Sequence, residues 1–493
     1  MKTLRTVLVS ALAALVVLHP IATHAQASQK MRLSIEEALK LGFQSSKTLH
    51  TAEMKVRAAD AKVGESNAAI LPSLSVTGQY ARLSDIPSDK IFAFSAGSLI
   101  NTNNIDRQLL ADPGVQKSLL ALSQAFGATT PSSESKPQQP LFPILLDNFS
   151  FQANVTYPVF TGFRLEAAKA SADYNAQAAT QDLSKDRLET EFNIKNAYWS
   201  LIKALELKKL TSESIEQVQS RLSDAQNMLK NGMMTTNDVL RLQVQLSNTK
   251  ITNIDANNAV RLSTVALNNL LGLPLSTEIE PSSTVAYAPT KVLEFEQALQ
   301  KAMQNRPEVG ATELRIKAGQ EGIRAAQGGA LPQVGLSGSF LYANPNQRFT
   351  GRPAEWNASW QLGAQVSWTV WNWNTTGYQV AQAEAQVAQA EDALYMLKDG
   401  IKVEVTQNYL TLLQTREKVT VAEQAVEQAG ENYRITNEKY KKGLALTSDM
   451  TDAETFRLQA KVNYISSVID YEIAQARLLK SLGEQQAVVA GVK

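Results

Sequence analysis

Apolar and polar residues alternate in four short stretches of this chain, and over most of the remainder apolar residues recur every three to four positions. Alternation marks strands with one apolar face, and the wider spacing marks helices that pack along one seam. The pattern predicts strands over 73–82, 149–159, 333–342 and 358–371. In the first, Leu74, Val76 and Tyr80 fall opposite Ser73, Ser75, Thr77 and Gln79. In the second, Phe149, Phe151, Val155, Tyr157 and Val159 fall opposite Ser150, Gln152, Asn154 and Thr156. In the last, Trp360, Leu362, Val366, Trp368 and Val370 oppose Ser359, Gln361, Gln365, Ser367 and Thr369. Helices are predicted over 34–70, 163–230, 237–272, 294–330, 374–441 and 447–483. Leu71-Pro72 and Leu331-Pro332 stop the first and fourth, because proline blocks continuation. Asn231-Gly232 and Lys442-Gly443 close the two long ones, since glycine takes the left-handed conformation of a helix end. Thr235/Thr236 and Thr447/Ser448 then offer N-caps for the helices that follow.

Both long helices carry a coiled-coil seam. Ile215, Val218, Leu222, Ala225 and Leu229 are spaced three, four, three, four, as are Val419, Ala422, Val426, Ala429 and Tyr433. Such a seam is read as packing against partner helices. At 1.5 Å per residue, 68 helical residues reach about 100 Å. The two shorter helices of each half, end to end, are long enough to pair with the long one.

The elements recur in the same order because the chain is duplicated. Residues 35–39 match 295–299 at an offset of 260, and at that offset Leu71-Pro72 falls on Leu331-Pro332 and Gly78 on Gly338. Farther on the offset is 211: Val155–Phe160 aligns with Val366–Trp371, Tyr198 with Tyr409, Gly232 with Gly443, Asp238 with Asp449, and Leu271-Gly272 with Leu482-Gly483. The change of offset places an excess in the first copy between Tyr80 and Val155. The expected organisation is a signal peptide (1–27), a first repeat (28–272) with an insert (83–148), a linker (273–293), a second repeat (294–483) and a tail (484–493). Within the insert a short helix is predicted over 105–126, followed by a Pro/Ser/Gln stretch at 131–140. A tolerated surface insertion and a receptor or lid both fit it.

Composition narrows the chemistry. Lys and Arg number 48 against 47 Asp and Glu, so no basic surplus exists to neutralise nucleic-acid phosphates. There is no cysteine, which removes disulfides, thiolate metal sites, cysteine nucleophiles and a lipid-modified N-terminal Cys. The N-terminus reads as an export signal: Lys2 and Arg5, an apolar core from Val7 to Leu18, then Ala25-Gln26-Ala27 as a cleavage site. Cutting after Ala27 leaves His50 as the one histidine, read as a surface or core residue. No catalytic motif, Gly-rich nucleotide loop, metal site or cofactor site is found, and no enzyme activity is expected.

The strands suit a membrane. Each has about the 9–11 residues or more that a tilted strand needs to cross a bilayer. Alternation alone also fits a soluble antiparallel sheet with one buried face. Three features favour lipid. Five of the six tryptophans (Trp356, Trp360, Trp368, Trp371 and Trp373) lie in the last strand and its flanks, as an interfacial belt requires. Each second strand runs into a long helix at aromatic residues, Tyr157, Phe160 and Phe163 in one copy and Trp368, Trp371 and Trp373 in the other. Outside the signal no apolar run approaches 18 residues, so helices do not anchor the protein. Four strands cannot close a barrel, and open edges are not tolerated in lipid. Two copies would give eight strands and three would give twelve; a pore for bulky solutes favours twelve.

In the order of these parts the chain resembles the TolC-type outer-membrane efflux protein family, over essentially all of the sequence after the signal. The marks are the duplicated unit, the Leu-Pro junctions at 71–72 and 331–332, the run Tyr157-Pro158-Val159-Phe160-Thr161-Gly162, and the Gly-x5-Asp turns at Gly232 to Asp238 and Gly443 to Asp449. The resemblance implies a mixed α/β-barrel membrane protein: a homotrimer whose twelve-stranded β-barrel continues as an α-helical periplasmic barrel. It implies an exit duct of a tripartite efflux or type I secretion system, with a periplasmic adaptor (membrane fusion) protein and an inner-membrane RND or ABC-type pump as partners. It assigns the periplasmic gate to Tyr440, Asp449 and Asp452, with Asp238 as the repeat partner of Asp449. Adaptor-facing turns would be Gly232, Met233, Met234 and Thr235, and Gly443, Leu444, Ala445 and Leu446. Ala445 stands where some members carry an arginine that ties the entrance shut. Rings of carboxylates repel and titrate together; an Asp in a first helical turn also serves simply to complement the helix dipole. The competing functions are a periplasmic adaptor, a coiled-coil structural protein of the envelope, and an exported glycosidase, for which no clustered acids and aromatics are found. Drug, metal and protein export all remain open.

Overall fold

A computed structural model describes residues 31–84, 112–125, 145–289, 292–349 and 354–484. The signal segment, most of the insert including 131–140, and the tail after 484 lie outside the described residues. The elements in order are β1 (Met31–Leu33), α1 (Ile35–Ser45), α2 (Lys47–Ala68), β2 (Ser73–Arg82), α3 (Pro113–Ala125), β3 (Asp147–Phe160), α4 (Arg164–Lys230), α5 (Thr236–Leu271) and β4 (Ile279–Pro281). There follow α6 (Phe295–Asn305), α7 (Pro307–Gln327), β5 (Gln333–Asn344), β6 (Asn357–Ser367), α8 (Thr375–Lys441) and α9 (Thr447–Ser481). The insert helix α3 falls inside the span predicted for it.

Two compact units result. The helical unit contains 31–61, 173–318 and 386–484 of the described residues. Its core has two large parts and a small third one of Ala225, Val239 and Leu242 near the tip turn. One large part gathers Leu33, Leu39, Ile194, Tyr198, Leu201 and Leu271, and the other Ala298, Val405, Leu412, Val419, Tyr471 and Leu482. The duplication shows in single hydrogen bonds: the Tyr198 hydroxyl donates to Leu33 O at 3.0 Å, and the Tyr409 hydroxyl donates to Leu293 O at 3.1 Å. All four helix ends at Gly232, Gly272, Gly443 and Gly483 have φ near +70°, between 68° and 74°. At each, the residue after the glycine donates back five positions, as Met233 N does to Met228 O (2.9 Å) and Leu444 N to Lys439 O (2.8 Å). This closure satisfies carbonyls that the helix would otherwise leave open.

Three expectations are corrected here. The helices predicted as 34–70 and 294–330 are each broken by one extended residue, Ser46 (ψ 111°) and Arg306 (ψ 121°). Ser46 Oγ accepts Leu49 N at 3.2 Å and so caps α2, while Pro307 forces Arg306 out of the helical region and starts α7. The last strand stops at Ser367 rather than at 371. Its partner β5 begins only after Pro332, and the final pair is Gln333 with Ser367, so Trp368 to Trp371 have no strand residue to pair with. The N-cap of α9 is Leu446 rather than Thr447 or Ser448, and Thr447 is a buried first helical residue. A short parallel pairing of β1 with β4 was not expected from the sequence.

The sheet unit, 62–84, 112–125, 145–172 and 319–385 without the undescribed 350–353, holds an antiparallel sheet in the order β2-β3-β5-β6. Register puts Val76 beside Ala153, Ala153 beside Phe340 and Phe340 beside Trp360. Every apolar column therefore shares one face.

Candidate functional site

Two places carry the predicted residues: the sheet, and the turns between the paired long helices. On the sheet, the apolar face is uncovered in the chain. Val76 is 70% exposed, Leu362 77% and Trp360 71%. The opposite face carries mostly hydroxyls and amides, among them Ser75, Thr77, Gln152, Asn154, Ser337 and Gln361, with Leu341 as its one large apolar side chain. No described helix is long and apolar enough to cross a membrane; a sheet with one such face is the described element that suits lipid.

The predicted aromatic belt divides into two groups. Toward the loop end, Trp356 stacks on Tyr342 with ring centres 4.9 Å apart and lies 6.0 Å from Phe151, with Trp360 on the same face. At the helix end stand Tyr157, Phe160, Trp368, Trp371 and Trp373. Phe160 meets Phe163 edge-on at 5.2 Å, and Trp371 meets Trp373 at 5.6 Å. Here each strand turns into its helix through two successive left-handed residues, Gly162 and Phe163 in one copy, Trp373 and Asn374 in the other. A bulky residue at positive φ is an outlier that the surroundings must hold. Trp368 Nε1 donates to Ala330 O at 3.0 Å, which pins this corner.

In the helical unit, the two tip turns have the same geometry. Asp238 sits in the first turn of α5, where Thr235 N donates to its carboxylate at 3.3 Å and the Thr235 hydroxyl at 2.6 Å. These bonds hold its carboxyl below the usual range, with further help from the Thr447 hydroxyl and Arg241. Asp449 accepts from Leu446 N at 3.1 Å. Within one chain both acids therefore cap their own helices. Asp452, one turn on, is exposed and forms no ion pair among the described residues. Tyr440 is half-buried, and its carbonyl accepts Gly443 N at 3.0 Å. Met233, Leu444 and Leu446 are at least 70% exposed, while Met234 and Ala445 are half-buried. Gly232 and Gly443 have open space around them, so their role is conformational.

Just behind the tip lies a cluster that sequence reasoning missed. Arg221 of α4 pairs with Glu454 of α9 and donates to the Tyr433 hydroxyl of α8 at 2.7 Å. Arg457 lies over the Tyr433 ring at 3.6 Å and donates to Gln217 at 2.6 Å. Glu454 is 4% exposed, and its Oε1 has no partner. Burial pushes its carboxyl up, opposed by Arg221 and Arg457. Tyr433 was read as one more seam residue. The signal was a break in the repeat: at the offset of 211, Arg221, Tyr433, Glu454 and Arg457 fall on Asn432, Leu222, Gln243 and Leu246.

Fold and site together define a duplicated channel subunit: a membrane-type sheet leading into paired long helices. The sequence profile of the outer membrane efflux protein family matches residues 39–273 and 298–484, and the chain belongs to that family. It is an outer-membrane efflux channel. Among characterised proteins it is similar to the outer membrane efflux protein BepC of Brucella suis, with 21% identity over 336 residues, 68% of this chain and 72% of that protein. It is also similar to the outer membrane protein TolC of Vibrio cholerae, with 22% identity over 64% of this chain and 72% of the other. Its fold matches the CmeC outer membrane channel of Campylobacter jejuni with a TM-score of 0.70, at 14% identity over 91% of this chain and 85% of that one. VceC of Vibrio cholerae matches with a TM-score of 0.69, at 16% identity over 91% and 96%.

Proposed function

We propose that three copies close a twelve-stranded barrel in the outer membrane, continued by their helices as a passive duct through the periplasm. The observation that carries this reading is the four-stranded sheet, apolar on one face, whose edges β2 and β6 are both unpaired among the described residues. Lipid does not tolerate such edges, so neighbouring copies must pair them. The polar face then lines the lumen and the two aromatic groups lie at the two interfaces. A periplasmic adaptor would dock at the tip turns, and an inner-membrane RND or ABC-type pump would supply energy and choose the substrate. The segment 1–27 would be removed on export. Extraction should need detergent, and light scattering should give the mass of three chains. A monomer released by salt alone overturns the reading and favours a periplasmic adaptor.

At the entrance, three copies would bring Asp449 and Asp452 into adjoining carboxylate rings, with Asp238 and Tyr440 on the facing turn and helix end. Such rings favour cations and repel one another. Asp449→Asn with Asp452→Asn is expected to lower cation preference and relieve block by multivalent cations in bilayer recordings. Unchanged selectivity and block would overturn the gate assignment and leave Asp449 as a helix cap only.

A further inference from the structure

We propose that Arg348 adds an anion-favouring site at the outer mouth of the duct, opposite in sign to the acids at its entrance; this rests on the barrel reading above. Within the bodies of the four strands no charged side chain occurs. Arg82 and Asp147 mark one loop end and face each other at 3.8 Å. The polar wall therefore has neither a cationic nor an anionic character of its own.

Arg348 changes that. It lies in the β5–β6 connection, at the end of the sheet opposite the strand-to-helix corners. The turn that carries it is built. Asn346 is fully buried, and its Nδ2 donates to Asn357 O at 3.1 Å and Ser359 Oγ at 3.0 Å. Its Oδ1 accepts Arg348 N at 3.1 Å. The guanidinium then folds back onto β6, donating to Trp360 O at 3.2 Å and to the Gln361 side chain. Ser359 and Gln361 both belong to the polar face, opposite Trp360. The turn thus anchors on the lumen side and delivers a cation there. Arg348 forms no ion pair among the described residues, so no carboxylate there cancels its charge. Three copies would place three guanidinium groups around one water-filled lumen. Like charges arranged around a pore draw counter-ions in and hold co-ions back.

The test is the reversal potential of the purified full-length protein in planar bilayers across a potassium chloride gradient. Arg348→Gln is expected to lower the anion-to-cation permeability ratio about twofold or more. The difference should be clear near 0.1 M salt, where screening extends about 10 Å, and shrink near 1 M, where it extends about 3 Å. Arg348→Lys should keep the wild-type ratio. Equal ratios for wild type and Arg348→Gln at low salt overturn the inference, as does a lysine variant that behaves like the glutamine one. A wild-type protein released by salt alone as a monomer overturns the barrel reading itself, and the inference with it.

Discussion

Val76→Arg should remove the protein from the outer membrane, while Thr77→Arg, one residue along, should leave it there. Both side chains are exposed in the single chain, so exposure alone predicts that both changes are harmless. The sheet says otherwise. Val76 shares its face with Ala153, Phe340 and Trp360, the apolar face that the proposed barrel would turn to lipid. An arginine at the middle of a bilayer on a barrel's outer face costs about 2–4 kcal/mol per copy, and three copies would each carry the penalty. Thr77 lies on the opposite, polar face, which in the proposed barrel would line the lumen and keep a guanidinium hydrated. The check is the amount of detergent-extractable trimer in washed outer membranes. Comparable loss for both variants would mean that the two faces are equivalent, which contradicts a membrane barrel.

The second large effect is expected at Arg221→Gln. It removes the partner of Glu454, a side chain only 5% exposed whose other carboxylate oxygen is already without one. Stripping one member from a buried ion pair costs about 3–5 kcal/mol, because the remaining charge stays desolvated. The damage should be local. Amides of α8 and α9 near Tyr433 and Glu454 should exchange faster, while those around Tyr198 keep their protection. The pH dependence has a definite sign. Burial raises the Glu454 carboxyl in the folded chain, so the folded state binds the proton more tightly. Its penalty is absent below the ordinary carboxylate value and grows as pH rises through the raised one. Loss of Arg221 strengthens that raise, so the variant's fast exchange should abate on acidification. Adding Glu454→Gln should recover part of the protection at neutral pH.

These two sites differ in how far the sequence revealed them. Strand faces were legible because a period of two needs no tertiary knowledge, and Val76 beside Thr77 is visible in the string itself. Tip turns were legible because Gly232 and Gly443 must take a conformation few other residues accept. The interruption at Arg306 had a local signal, Pro307, but Ser46 had only a serine that caps the next helix. Trp368 to Trp371 read as strand because aromatic and β-branched residues favour strands, yet a strand also needs a partner, and Pro332 ends the supply. The charged cluster behind the tip was illegible as a cluster: its four principal residues come from three helices, and each alone looks like a surface charge or a seam aromatic. What could have exposed it is asymmetry, since none of the four is repeated in the other copy. Asp238 and Asp449 were legible as acids in first turns, and the single chain shows them capping their helices; the ring proposed for Asp449 and Asp452 needs neighbouring copies.

The sheet is unequal at its two ends, and this bears on how such a protein can be altered. At the helix end Gly162 and Gly328 lie backbone against backbone, and a Cβ on either would overlap the other's carbonyl oxygen. Neither position can be varied, and neither change can compensate the other. At the opposite end the β2–β3 ladder runs unbroken to its last pair, Arg82 with Asp147, ahead of the long connection 83–146. Peptide epitopes grafted there should be displayed on a folded carrier, whereas even one methyl group at the glycine corner should spoil it.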